Sequence, residues 1–287
     1  MVTDESIKQL QEKEFNILLE TLAICKKLDL RVYAVSGTCL GAVKYNNFIP
    51  WDDDIDLALP RRDYEIFIKE ADKYLQPYYF LQTHETDPGY FAQFAKIRDS
   101  RTTFVEKSAC KLDIHHGIYI DIFPLDGYPE SFFKQKLFWV KKQLYSLRIS
   151  KHYYSRQRSW RWKLMSAFSV LIIPSLERAW TKREALYRSV DFDAAETIGN
   201  FGNAWGKKEV VPKQYFSTSV DMQFANILLP IPCGYREYLQ KLYGDISKDP
   251  PKCDQVPHHY ALMIDVDKSY VENQDIIRNK VQEELRR

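Results

Sequence analysis

Apolar residues Ile7, Leu10, Phe15, Leu18, Leu22, Cys25 and Leu28 recur mostly at three- and four-residue steps, which predicts a helix over 5–28 with one buried face. Lys26 and Lys27 set cations at its carbonyl end. The period then changes. Residues 31–36 are β-branched and aromatic and stop at Gly37, and 38–44 return to a helical pattern, so strand, glycine turn and helix are expected in succession. A loop over 46–51 leads to Asp52, Asp53, Asp54 and Asp56, and 55–59 alternate like a strand until Pro60 breaks it. A helix over 62–75 follows, and then strands at 78–82, 91–98 and 118–123, the last closed by Pro124. Residues 131–190 are helical in pattern. Residues 196–287 are punctuated by six prolines and read as irregular, apart from a helix over 235–243 stopped by Gly244 and a charged surface helix over 275–287.

These elements predict an α/β (α+β) chain. At 287 residues and 45% apolar it buries a sizeable core, which excludes disorder and mini-protein scaffolds. The formal charge of +2 conceals a polarity: residues 131–190 hold 14 Lys and Arg against Glu177 and Glu184, a local +12 that leaves −10 on the remainder. Five cysteines without tight spacing fit a reducing compartment, and the acidic first residues carry no secretory pattern. The longest apolar run, 167–174, is far short of a membrane span. A cytoplasmic chain is expected, with any membrane contact peripheral. No RRM, KH, zinc-finger or basic-zipper pattern is present, so no nucleic-acid partner is expected.

Chemistry concentrates in the acid run. Asp54 and Asp56 are two apart, and period-two alternation on a strand points both carboxylates to one face, where they can share a divalent cation. Their flanks, Ile49, Trp51, Ile55, Leu57 and Leu59, expect burial, and clustered buried carboxylates need a cation or a proton. Ser36, Gly37 and Thr38 form a strand-to-helix turn that suits a phosphate. Asp121 lies inside an apolar strand and needs a metal or a donor; an ion pair with Lys96 or Arg98 is the alternative, and both can hold together. Asp126 is expected to open a turn.

The order Ser36-Gly37-Thr38, then Asp54-Ile55-Asp56-Leu57, then Asp121 is similar to the nucleotidyltransferase superfamily. Residues 35–44 and 48–56 further resemble the LicD family, which includes phosphocholine transferases and is related to the fukutin-type transferases. Lys96-Ile97-Arg98-Asp99, residues 116–126 and blocks at 231–235, 238–239, 243–245 and 250–251 extend the resemblance toward the C-terminus. The chain departs at Lys44, where the family usually has Arg, and at Cys233.

Pattern and charge divide the chain into a mixed sheet core over 1–130, which the resemblance implies is nucleotidyltransferase-like, a basic amphipathic helical portion over 131–195 and a C-terminal portion over 196–287 packing on the core. It also implies transfer of phosphocholine or a similar phospho-alcohol from a CDP-linked donor to a hydroxyl of a lipid-linked cell-surface glycan or teichoic-acid precursor, with CMP released. Asp54 and Asp56 would hold Mg²⁺ or Mn²⁺, with Asp121 as a further ligand or as the base. Lys44, Lys96 and Arg98 would face the phosphates, and Ser36, Gly37 and Thr38 would seat the donor. A nucleotidyltransferase releasing pyrophosphate and a non-catalytic lipid- or glycan-binding scaffold are the rival readings. Two further features stand apart from the acids. Cys110 with His115 and His116, and Cys253 with His258 and His259, repeat one spacing that would suit zinc, while those histidines could instead line the pocket. Lys and Arg interleaved with Phe and Trp over 131–190, among them Lys141, Lys142, Arg156 and Arg158, suit an anionic membrane surface.

Overall fold

A computed structural model describes residues 4–153 and 159–286; Arg156 and Arg158 therefore lie outside the described residues. Helix α1 (Asp4–Lys27) leads to β1 (Tyr33–Ala34), α2 (Ser36–Tyr45), β2 (Asp56–Pro60), α3 (Arg61–Glu70), β3 (Tyr79–Gln82), β4 (Ala95–Asp99), β5 (Thr103–Glu106) and β6 (Ile118–Gly127). The basic stretch is three helices, α4 (Phe132–Ser150), α5 (Trp160–Ile172) and α6 (Leu176–Tyr187). Then come β7 (Thr197–Gly199), β8 (Val211–Pro212), β9 (Ser219–Phe224), β10 (Ile227–Pro232), α7 (Tyr235–Tyr243), β11 (Ala261–Asp265) and α8 (Gln274–Arg286).

The main sheet runs β1-β2-β6-β4-β3, with β7 on β6 and β8 on β7. Strands β2 and β6 are parallel and the other pairs antiparallel, so the sheet is mixed as expected. Every residue of β2, β4 and β6 is buried, and central strands covered on both faces read as near-continuous apolar runs. Leu57, Leu59, Ile120 and Ile122 are fully buried, each contributing about 2 kcal/mol relative to exposure, and they hold the register that sets Asp56 opposite Asp121. A slip of one residue would turn Asp121 to the other face.

Several expectations are corrected. Pro124 does not close β6, because β4 pairs only as far as Ile122 and β7 begins at Asp126, leaving Pro124 in the gap where that edge of the strand asks for no donor. Asp126 therefore opens no turn; it is buried in β6, where Arg61 clamps it through two donors at 2.7 Å. The expected strand over 91–98 begins only at Ala95, and the helix after Pro60 ends at Glu70 and tightens into a 3₁₀ turn. The region read as irregular contributes five strands, two of which, β7 and β11, pair with β6 and β5. Pro230 and Pro232 are tolerated because β10 is half of a two-stranded hairpin.

Helices α4 and α6 pack on the sheet side through Phe138, Tyr187 and Phe201 with Tyr128, and through Phe91, Ile149 and Ala179. Helix α5 leaves Leu164, Phe168 and Leu171 exposed. No helix among the described residues is long and apolar enough to cross a membrane.

Candidate active site

Three adjacent strands set one row of charge across the sheet: Asp56 on β2 is the register partner of Asp121 on β6, which is the register partner of Lys96 on β4. Lys96 Nζ donates to Asp121 Oδ1 at 2.6 Å, and the ammonium lies 3.3 Å from the centre of the Tyr119 ring. The ion pair weighed as an alternative for Asp121 is thus present, with Lys96 as its partner. Arg98, two residues along β4, is fully enclosed: it donates to Gln82 Oε1 at 2.6 Å and to the Gly117 carbonyl at 2.7 Å, and faces Glu106 at 3.8 Å.

Asp54 does not share the strand with Asp56. Pairing with β1 ends where the Val35 amide donates to the Asp56 carbonyl, and the preceding acids are drawn toward the C-terminal segment: Asp53 accepts the amides of His258 at 3.0 Å and His259 at 3.1 Å. The His259 ring then stands 3.2 Å from Asp53 and 3.8 Å from Asp54. Asp53, Asp54 and His259 offer ligand atoms within 4.8 Å of one another. Of the expected trio Asp54, Asp56 and Asp121, this tight group holds Asp54, with Asp56 and Asp121 side by side on the adjoining strands.

Helix α1 does more than pack. Gln11 Nε2 donates to the Asp52 and Ile49 carbonyls, and Glu14 is buried toward the acid loop. The turn at Ser36 supports the same loop. A Cβ on Gly37 would lie 2.6 Å from Asp52 Oδ2, so glycine is what lets that carboxylate approach. Thr38 Oγ1 accepts the Asp56 amide at 2.8 Å, fixing the start of β2. Ser36, at φ +48°, accepts from Asn203 Nδ2 at 3.0 Å. Lys44, at the other end of α2, pairs with Asp249 at 2.6 Å.

Burial is the main electrostatic fact. It raises Asp52 and Asp56 well above the usual carboxylate range, and neighbouring acids add to the rise; Glu14 behaves alike. Burial also raises Asp54, opposed by His259, and Asp121, opposed by Lys96. For Glu106, burial is outweighed by Lys96, His259 and Arg98, which draw it down to about 2. His259 is held protonated by Asp54 and Asp53 against its own burial.

The donor set is rich in carboxylate oxygen, and Asp56 has no cationic partner among the described residues; this fits a hard divalent cation such as Mg²⁺ or Mn²⁺, without deciding between them. The zinc expectation is not supported. The His115 ring accepts from the Gly117 amide through Nδ1 at 3.1 Å and meets Ser100 Oγ through Nε2 at 2.9 Å, and burial, Arg98 and His116 push it down to about 3. No cysteine joins a metal-type cluster among the described residues. Next to the row lies a cavity of about 350 Å³, which Lys96, Glu106, Asp121 and His259 line from the sheet side.

The transferase class comes from the comparison with known families: residues 29–157, which carry the sheet, the turn and the carboxylates, match the LicD/FKTN/FKRP nucleotidyltransferase domain. Over that stretch the chain is similar to the LicD family. It is 27% identical over 253 residues, 85% of this chain and 92% of the relative, to the lipopolysaccharide cholinephosphotransferase LicD of Haemophilus influenzae. It is also 27% identical over 130 residues, 45% of each chain, to an uncharacterized protein of Rickettsia prowazekii.

The acids Asp54, Asp56 and Asp121 were legible in the sequence because carboxylates in an apolar context are conspicuous. Asp53 with His259, Glu14 and Glu106 were not assigned roles. The segment of Cys253, His258 and His259 was marked for zinc or for the pocket, and His259 does line the cavity, but its contact with the acid loop was not read.

Proposed function

We propose that this chain transfers phosphocholine, or a similar phospho-alcohol, from a CDP-linked donor to a hydroxyl of a lipid-linked cell-surface glycan precursor and releases CMP. The observation that carries the proposal is the row Asp56, Asp121 and Lys96 across three strands beside Asp54. The likeness to a lipopolysaccharide cholinephosphotransferase over most of both chains supports the transferred group. Asp54 and Asp56 would hold Mg²⁺ or Mn²⁺, with His259 and Asp53 fixing the loop that carries Asp54. A cation bound there supplies charge stabilisation to the diphosphate.

The chain's own residues do the rest. Burial raises the proton affinity of Asp121, opposed by its pairing with Lys96, and a carboxylate made more basic in this way serves as the general base toward the acceptor hydroxyl. Lys96 then faces charge developing on the transferred phosphate. The enclosed Arg98 acts by holding Tyr119 and Glu106 around Lys96. Ser36, Gly37 and Thr38 serve the donor by setting the acid loop against it.

The acceptor's lipid brings the protein to a membrane. Exposed Leu164, Phe168 and Leu171 on α5, with Arg161 and Lys163 on the same helix, suit an anionic surface, on the cytoplasmic side where CDP-linked donors are made. Incubation with a divalent cation and either CDP-choline or CTP separates the readings. CMP from CDP-choline is expected, and pyrophosphate from CTP would replace this proposal with nucleotidyl transfer.

A further inference from the structure

The cavity beside the carboxylate row has a second wall, made by α4 and α6 and by the segment before β4. Cations on the sheet side are matched: Lys96 pairs with Asp121, Arg98 faces Glu106, and His259 faces Asp53 and Asp54. The helical wall is not matched. Lys142 on α4, grouped by sequence with the membrane-facing cations, lines this cavity instead and lies 5.2 Å from the centre of the Trp139 ring, with no ion pair among the described residues. Arg183 on α6 donates to the Phe91 carbonyl at 2.9 Å and to Ser146 Oγ at 3.4 Å, both neutral acceptors. The adjacent acid Glu184 is engaged by Arg61 and Arg188.

Two donors on the same lining are buried without any partner among the described residues, Arg183 Nε and Tyr90 Oη. An unpartnered buried donor is destabilising, and a cation held from water without a counter-charge is more so. The strain is visible in the acidity: burial, then Arg183, pulls the Lys142 ammonium down to about 8, and burial lowers Arg183 too. An anion between Lys142 and Arg183 would meet the unpartnered Arg183 Nε and offset both charges through charge-assisted hydrogen bonds, while Tyr90, whose charged neighbours are Asp121, Arg98 and Glu106, borders the same cavity nearer the sheet.

We propose that Lys142 and Arg183 form an anion subsite on the helical wall that takes a phosphate group of a substrate. That the phosphate is a substrate's rests on the transferase reading above. Two sources share the chemistry, the donor's diphosphate and the phosphate linking the acceptor glycan to its lipid. The basic helices are thereby part of the binding site, and not solely a face toward a membrane.

Calorimetry on the full-length chain measures binding of inorganic pyrophosphate and of CDP-choline without acceptor, for the wild type and Lys142→Met. Lys182→Met on the exposed face of α6 is the control. The thermal midpoint establishes that each variant is folded, and Arg183→Lys, which keeps the charge, tests the fork. Weakening of pyrophosphate and CDP-choline by about tenfold or more in Lys142→Met, with Lys182→Met unchanged, supports the subsite and assigns it to the donor. Unchanged donor binding with a tenfold rise in KM for a lipid-linked acceptor supports it and assigns it to the acceptor. Unchanged binding and unchanged KM overturn it. Pyrophosphate binding requires no turnover, so absence of CMP release would sink the transferase reading while leaving the subsite separately measured.

Discussion

Glu209 shows how far a single buried group can set the behaviour of the site. Its Oε2 accepts from Tyr238 Oη at 3.2 Å, and Tyr238 Oη in turn accepts the Ser36 amide, so the carboxyl stands behind the turn that supports the acid loop. Burial raises its pKa to about 8. A folded-state value above the unfolded one means that the folded chain holds the extra proton between about 4.5 and 8, so stability is greatest below that window and falls as pH rises through it. We expect the wild-type thermal midpoint to drop by roughly 5 °C or more between about pH 5.5 and pH 8, and Glu209→Gln to flatten that slope. An equal slope in the variant would remove Glu209 from the account. Neither Glu209 nor the Asp53–His259 contact was legible from the sequence. An acid within an apolar strand announces itself, as Asp121 did, whereas the His259 amide reaches Asp53 across 206 positions of chain and no local pattern encodes that meeting.

Among the elements, β6 carries the most. Its first half pairs with β4 and its second with β7, while β2 runs along the other edge, so one strand fixes Asp121 against Lys96, Asp56 and the C-terminal portion. Periodicity found its first half and stopped at Pro124, because a proline's missing donor matters only where a neighbour would accept it. The same limit hid β7 and β8, which are two or three residues long and become strands through pairing alone. Gly117 opens β6, and a Cβ there would collide with the Asp99 carbonyl oxygen across the β4 pairing. Gly117→Ala is expected to destabilise the chain by about 1–3 kcal/mol in denaturant unfolding and to slow turnover through displacement of Asp121. An unshifted midpoint would show that the sheet yields at this point.

On the scale of the whole molecule, the near-neutral total charge resolves into an acidic sheet portion and a +12 stretch over residues 131–190. Helices α4 and α6 of that stretch turn one face to the cavity, while α5 leaves Leu164, Phe168 and Leu171 outward. Replacing those three with Ser is expected to weaken partition onto anionic vesicles by about tenfold or more in sedimentation assays, and added salt to weaken the wild type. Binding that ignores both would discard a membrane role for α5. Phosphotransfer by the sheet-borne carboxylates is tested by CMP release from CDP-choline with Mg²⁺ or Mn²⁺ and an acceptor extract, wild type against Asp56→Asn. A fall of about a hundredfold or more in rate with the thermal midpoint retained is the predicted result, since a bound cation's charge stabilisation is worth several kcal/mol; undiminished CMP release by the variant would contradict it.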